Sequence, residues 1–166
     1  EWIEARFKPW VDASKVKRIL EIGTGSGCMA IATAKAFPDA TVDAVDIDQA
    51  ALDVAAMNVE RFEAAKQVHL ILSDCFENVS ESYDMIIANP PYVAKEEMEH
   101  LPSEYLAEPY HALHANDEGM AIVLRILSQA SQYLTEEGVI FVEVGYSDEI
   151  LQSRFPDVPF VWLQQE

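Results

Sequence analysis

Four consecutive residues, Asn89-Pro90-Pro91-Tyr92, close an apolar run and are suited to hold a planar amide or amine. The nitrogen of such a group has a conjugated lone pair, so it must be oriented before it can attack an activated methyl group. Asn89 offers a side-chain carbonyl and Pro90 a backbone carbonyl, and neither proline has an N–H that would compete. Tyr92 is placed to cover the planar group. The alternative is a stiff turn after a strand, since Pro-Pro is common in loops.

A glycine turn about sixty residues earlier is suited to bind a nucleoside. Residues 21–27 read Glu-Ile-Gly-Thr-Gly-Ser-Gly, and glycines allow positive φ and close approach of the backbone to a ligand. Cys28 stands where a dinucleotide fingerprint has its last glycine, which favours a ligand without a pyrophosphate. The alternative is a tight connection between a strand and a helix. The predicted cofactor contacts of this turn are Glu21, Gly23, Thr24, Gly25 and Gly27.

Two aspartates follow the next two predicted strands. Asp46 stands 19 residues after Gly27, near the roughly 20-residue offset at which an acid meets ribose hydroxyls. Asp46 alone could also be a helix cap. Asp74 is placed to accept from an adenine amine, and Ile47 and Phe76 could enclose the ring. Together with the asparagine tetrapeptide, these residues fit S-adenosylmethionine, whose sulfonium carries an activated methyl group.

Alternating strand and helix patterns predict an α/β fold with a parallel sheet covered on both faces. The predicted strands are residues 16–22, 41–46, 68–72, 83–88, 139–144 and 160–163. A helix is predicted over residues 28–37, and a second helix begins after Asp48 as its N-cap. A third contains Ile122 and Leu134 and ends near Gly138.

The composition indicates one globular domain with a strongly acidic surface. The 166 residues include 11 basic and 29 acidic ones, which gives a formal charge of −18. Such a surface repels phosphate backbones, so a basic protein substrate is favoured over nucleic acid; the alternative is a surface that only keeps the protein in solution. No apolar run reaches the roughly 18 residues that span a bilayer, and the first residues do not resemble a signal peptide, so a cytoplasmic protein is expected. Neither the two cysteines nor His111 and His114 have the spacing of a complete metal site, and no metal is expected.

Three further segments allow a family comparison. They are Cys-Met-Ala-Ile-Ala at residues 28–32, Glu-Pro-Tyr-His-Ala-Leu at 108–113 and Phe-Pro-Asp-Val-Pro-Phe at 155–160. With the motifs above, they resemble the Rossmann-like class I S-adenosylmethionine-dependent methyltransferases, specifically the protein-glutamine methyltransferases that modify release factors and a ribosomal protein. Residues 155–160 are most similar to the members that act on the third protein of the large ribosomal subunit.

The resemblance implies that Asn89 and Pro90 hold a substrate glutamine amide with Tyr92 beside it. It also implies that the cofactor is held by Gly23, Gly25, Asp46 and Asp74. The family's amino-terminal helical domain and its closing strand have no counterpart in these 166 residues. We therefore expect a single catalytic domain over residues 1–166, as part of a longer protein, in which residues 160–163 have no neighbouring strand. Three alternatives remain: methylation of a release factor, methylation of an exocyclic amine in a nucleic acid, and a cofactor-binding fragment without activity.

Overall fold

The computed structural model describes residue 3 and residues 7–90, 120–145 and 147–163. They fall into two compact units: the described residues of 1–89 and 125–142 form the first, and those of 90–124 and 143–166 the second. Several predictions lie outside the described residues. These concern Pro91, Tyr92, His111, His114 and the segment 108–113.

The first unit is a five-stranded sheet with the strand order β3-β2-β1-β4-β5. Every pairing in it is parallel, as predicted from the alternating pattern. The strands are β1 (Arg18–Ile22), β2 (Thr41–Asp46), β3 (Val68–Leu72), β4 (Tyr83–Ala88) and β5 (Leu134–Val142). The predicted bounds of β2, β3 and β4 are confirmed, whereas β1 begins two residues later than predicted.

Four helices are described: α1 (Cys28–Ala36), α2 (Gln49–Arg61), α3 (Ala121–Ala130) and α4 (Asp148–Arg154). Asp48 is the N-cap of α2, as predicted, because its Oδ1 accepts a hydrogen bond from the Ala50 amide at 2.9 Å. The buried residues of α2 recur at helical spacing. They are Leu52, Ala55 and Val59. In the described part of the chain, no helix is long and apolar enough to cross a membrane.

Both faces of the sheet are covered. Ile19 and Leu20 are consecutive in β1 and therefore point to opposite faces, yet both are fully buried. On one face, Ile19 belongs to a core cluster with residues of α1 and with Phe7, whose ring stacks on Phe141 at 4.1 Å. A parallel sheet buried on two sides explains why its strands are nearly continuous apolar runs.

The boundary between α3 and β5 differs from the prediction. The helix ends at Ala130, and Leu134 and Gly138 both lie in β5. The register jumps from Tyr83 paired with Leu134 to Met85 paired with Val139, so β5 contains extra residues at an irregularity. Gly138 lies where a Cβ would be only 2.8 Å from the Tyr83 carbonyl oxygen. The glycine is therefore required by strand packing and does not end a helix.

The predicted sixth strand is also wrong. In the second unit, α4 is followed by residues 155–163, which contain no strand, and α4 itself was not predicted. The apolar side chains of this segment contact each other instead. The Phe160 ring lies 6.4 Å from that of Phe155 and 5.2 Å from that of Trp162, measured between centroids.

Candidate functional site

The predicted site residues of the first unit lie at one edge of the sheet. Parallel strands end at the same edge, and the order β3-β2-β1-β4 places Asp74, Asp46, the glycine turn and Asn89 in a row. Hydrogen bonds join neighbours in this row. The Ser73 amide donates to the Asp46 carbonyl at 2.9 Å, and the Gly23 amide donates to the Val45 carbonyl at 2.9 Å. Four segments distant in sequence thus meet along one line.

Different structural constraints require glycine at the positions of this turn. Gly23, Gly25 and Gly27 all have positive φ, at 77°, 54° and 77°. A Cβ on Gly27 would lie 3.1 Å from the Ala55 Cβ, so this glycine allows α1 to approach α2 closely. A Cβ on Gly25 would meet no atom within 4 Å. The space over Gly25 is therefore open to a ligand, whereas Gly27 is explained by packing alone.

Asp46 connects the glycine turn to the start of α2. Its Oδ2 accepts a hydrogen bond from the Gly25 amide at 2.8 Å, and its Oδ1 accepts one from the Asp48 amide at 2.9 Å. Asp46 is not the helix cap that was the alternative, since Asp48 fills that role. Each carboxylate oxygen can accept more than one hydrogen bond, so Asp46 can still receive ribose hydroxyls.

The burial of Glu21 was not predicted from the sequence. Its side chain is 1 % exposed, and within the described residues neither carboxylate oxygen has a hydrogen-bond partner. Burial raises its pKa to about 8; the nearby charge of Asp46 adds to this rise, and Thr24 opposes it. The buried Thr24 hydroxyl lies near enough to lower the Glu21 pKa, yet the two groups do not meet at full hydrogen-bond geometry. Two buried polar groups without full hydrogen bonds, next to the glycine turn in sequence, fit a ligand that brings hydrogen-bond donors.

Asp74 has an ion-pair partner that was not predicted from the sequence. Arg125 of α3 donates from Nη1 to Asp74 Oδ2 at 2.8 Å. Ile47 is 64 % exposed, so its side chain is accessible to a ring, but Phe76 is only 2 % exposed and stacks on Tyr133 at 4.5 Å. This burial argues against the Phe76 half of the predicted enclosure, because a core ring offers no open face.

Asn89 follows β4 and is exposed. Its backbone carbonyl comes close to the glycine turn, at 3.8 Å from where a Cβ on Gly23 would lie. Pro90 is buried and belongs to the second unit. The roles of Asn89 and Pro90 toward a substrate remain predictions, and so does that of Tyr92.

A cavity of about 510 Å³ among the described residues lies elsewhere. It is at the amino ends of the strands, and its lining includes Trp10, Lys15, Asp84 and Glu137. It contains none of the predicted site residues.

Comparison with known protein families shows which family the chain belongs to. The family model described as "methyltransferase small domain" matches residues 8–157. The chain belongs to this family.

One curated relative is similar to nearly the whole of this chain. The ribosomal protein uL3 glutamine methyltransferase of Neisseria meningitidis serogroup A is 42 % identical over 159 residues, which are 95 % of this chain and 52 % of the relative. The chain spans about half the length of the curated relatives it matches.

Solved structures support the Rossmann-like class I methyltransferase fold. The ribosomal protein L11 methylase of Lactobacillus delbrueckii matches with a TM-score of 0.61 and 19 % identity, over 93 % of this chain and 63 % of that protein. An O-methyltransferase of Brevibacillus brevis, solved with S-adenosyl-L-homocysteine, matches with a TM-score of 0.57 and 18 % identity, over 84 % and 39 % of the two chains. At these identities the likeness concerns the fold.

Sequence reasoning missed one residue of this methyltransferase domain, Arg125. The available signal was a single cation inside the apolar sequence Ile-Val-Leu-Arg-Ile-Leu of a very acidic chain. Only the fold reveals its contact, because 51 residues separate it from Asp74.

Proposed function

We propose that this chain binds S-adenosylmethionine at the carboxyl edge of its sheet, and that the protein methylates the side-chain amide nitrogen of a glutamine in a ribosomal protein. The observation that carries the proposal is the row of Asp74, Asp46, the glycine turn and Asn89 along that edge. Membership of a methyltransferase family supports the reaction type.

The cofactor supplies an activated methyl group. The chain's own residues would hold it through the backbone of the turn at Gly23 and Gly25, with Asp46 on the ribose and Asp74 on the adenine amine. Glu21, two residues before Gly23, is a buried carboxyl without a full hydrogen bond, which a cationic ammonium group would satisfy. No metal is required by this scheme, since the methyl group arrives already activated.

The acceptor amide has to be held in a fixed orientation, and this matters more than a strong acid or base nearby. The Asn89 side-chain carbonyl and the Pro90 backbone carbonyl would each accept an N–H of the glutamine amide, which fixes the plane of that amide. Tyr92 would cover its face. The N–C bond would form as the S–C bond of the sulfonium breaks, S-adenosyl-L-homocysteine would leave, and the nitrogen would release one proton to water, so the net chemistry replaces an N–H with an N–CH₃.

The choice of a ribosomal protein rests on relatives and on charge. The matched relative is named for ribosomal protein uL3, and a formal charge of −18 favours basic proteins over nucleic acids. We place the activity in the cytoplasm, where ribosomal proteins are found. Release factors are the alternative protein substrate. The exocyclic amine of a nucleic acid base is the other alternative, because it is also a planar, conjugated nitrogen that must be oriented.

The first experiment is calorimetric titration of this chain with S-adenosyl-L-homocysteine, the product, which avoids turnover. We expect saturable binding at one site. A folded chain that does not bind would contradict the proposed cofactor site.

The second experiment concerns the acceptor. Purified full-length protein should transfer labelled methyl groups to ribosomal protein uL3, and complete enzymatic digestion of the product should release glutamine methylated on its side-chain nitrogen. Asn89→Ala should retain affinity for S-adenosyl-L-homocysteine within about threefold but lose more than about 99 % of transfer, because Asn89 orients the acceptor. Label found in nucleic acid, or in a release factor instead of uL3, would change the assigned substrate without changing the cofactor site.

A further inference from the structure

The loop after β3 carries Asp74 and is shaped by hydrogen bonds of its own. The Ser73 hydroxyl donates to the Cys75 carbonyl at 2.9 Å and accepts from the Asn78 amide at 3.0 Å. The Asn78 side-chain amide donates to the Leu72 carbonyl at 2.8 Å. These bonds define the backbone of the loop, but none of them contacts the Asp74 carboxylate.

Arg125 supplies that contact from α3. One guanidinium nitrogen, Nη1, donates to Asp74 Oδ2 at 2.8 Å, and the other, Nη2, donates to the Asp74 backbone carbonyl at 3.3 Å. Nη2 also donates to Glu77 Oε1 at 3.3 Å. The planar guanidinium therefore holds both the side chain and the backbone of the same aspartate, which a point charge could not do.

Stability alone does not explain this pair. The side chains of Arg125 and Asp74 are 35 % and 37 % exposed, and ion pairs that accessible contribute little to folding. The loop is already anchored in the core by Phe76, which stacks on Tyr133. Arg125 contacts the Asp74 carboxylate directly at the carboxyl edge of the sheet, where the Cys75 thiol is a second neighbour of that carboxylate.

On the basis of the proposed function, we propose that Arg125 is a positioning residue that sets the adenine selectivity of the cofactor site. It holds the Asp74 carboxylate so that a lone pair is directed at the exocyclic amine of the ring. A correctly directed acceptor favours an amine and disfavours a carbonyl oxygen at the same place, because the carbonyl would leave two acceptors facing each other. Arg125 itself need not touch the cofactor.

The test compares two ligands that differ at the six-position of the ring. S-adenosyl-L-homocysteine carries the amine there, and S-inosyl-L-homocysteine carries a carbonyl oxygen and, as a consequence, an N–H at the adjacent N1. Calorimetry should give the ratio of their dissociation constants for the unaltered chain, for Arg125→Gln and for Asp74→Asn. The matched control is Glu77→Gln, which alters the other acidic partner of Arg125 and leaves Asp74 intact.

We expect the unaltered chain to prefer the amine by at least about tenfold, and R125Q and D74N to reduce that preference below about threefold. E77Q should keep it. A purely structural arginine would weaken both ligands by the same factor and leave the ratio unchanged, which would overturn the inference. Failure of the unaltered chain to bind S-adenosyl-L-homocysteine would instead overturn the proposed function.

A second variant covers the case in which R125Q does not fold. Arg125→Lys keeps the charge but cannot hold the Asp74 side chain and backbone together. A ratio between those of the unaltered chain and D74N would support the inference. A ratio equal to that of the unaltered chain would contradict it.

Discussion

Asp46 illustrates how one side chain can serve both the shape and the chemistry of a site. Its two oxygens accept the amides of Gly25 and Asp48, so it joins the glycine turn to the start of α2 before any ligand arrives. The same carboxylate is the predicted partner of the ribose. A substitution there would therefore remove the predicted ribose contact and also the hydrogen bonds that join the turn to α2.

Replacing Asp46 with Ala should weaken binding of S-adenosyl-L-homocysteine about a hundredfold, or about 2–3 kcal/mol, as expected for charge-assisted bonds to hydroxyls. Calorimetry measures this directly. The matched control is Asp48→Ala, which removes the N-cap of α2 and should cost about 1 kcal/mol of stability with little change in affinity. Equal losses of affinity in the two variants would show that helix stability, not ribose contact, is the cause.

The free energy of unfolding should depend on pH because the Glu21 carboxyl is buried without a full hydrogen bond. Its pKa rises from an ordinary 4.5 to about 8 in the folded protein. Between these two values the unfolded chain has an ionised Glu21, whereas the folded chain keeps the proton. The folded state binds more protons, so the free energy of unfolding attributable to Glu21 falls as pH rises through this window and levels off above about pH 8.

Glutamine cannot ionise, so Glu21→Gln should remove this dependence. Relative to the unaltered chain, the variant should gain stability progressively from pH 5 to 8, reaching about 1–3 kcal/mol near neutrality in the absence of ligand. Urea unfolding at several pH values measures the difference. A difference that stays constant with pH would mean that Glu21 is already ionised in the folded protein.

At the scale of elements, β5 depends on a glycine inside a strand. The irregularity opposite Tyr83 and Met85 brings the β5 backbone against β4, and Gly138 leaves room for that approach. A Cβ there would lie 2.8 Å from one backbone atom, the Tyr83 oxygen, and 3.0 Å from another, the Thr135 nitrogen. Backbone atoms of paired strands cannot move aside cheaply.

Gly138→Ala should therefore destabilise the first unit by about 1–3 kcal/mol, although alanine usually stabilises regular structure relative to glycine. Urea denaturation followed by circular dichroism provides the measurement. Glu136→Ala, at an exposed neighbouring position, is the control and should change stability by less than about 0.5 kcal/mol. If G138A were as stable as the unaltered chain, the strand register described for β5 would be wrong.

At the scale of the whole molecule, charge should decide which macromolecules approach the site. With 29 acidic and 11 basic residues, we expect the chain to attract basic proteins at long range and salt to weaken that attraction. Affinity for a basic segment of ribosomal protein uL3 should fall about tenfold or more between 50 and 300 mM NaCl.

Comparison with the salt dependence of S-adenosyl-L-homocysteine binding shows whether charge causes the effect on the basic segment. Affinity for S-adenosyl-L-homocysteine should change less than about twofold over the same range, since short-range contacts in the turn hold it. Fluorescence anisotropy of a labelled segment gives the first value and calorimetry the second. Binding of the basic segment that does not depend on salt would assign recognition to apolar contacts instead.

The sequence by itself determined the elements whose signals are local. β2, β3 and β4 occur at the predicted residues because apolar runs bounded by turn residues specify buried parallel strands. The Asp48 cap was predictable for the same reason, since the cap and the amide that it binds are only two residues apart. The roles of the glycine turn, Asp46, Asp74 and Asn89 were predicted one by one from their places after strands, and the strand order of the fold brings them to one edge.

Tertiary structure decided whatever depends on a distant neighbour. Gly138 resembles a helix end until β4 lies beside it, and Phe76 resembles an exposed ring until Tyr133 covers it. Arg125 has no evident role until α3 reaches the loop of Asp74, and Glu21 is an ordinary carboxyl until the core encloses it. Spacing along a chain encodes periodicity and caps, but desolvation and contact with remote residues exist only once the chain is folded.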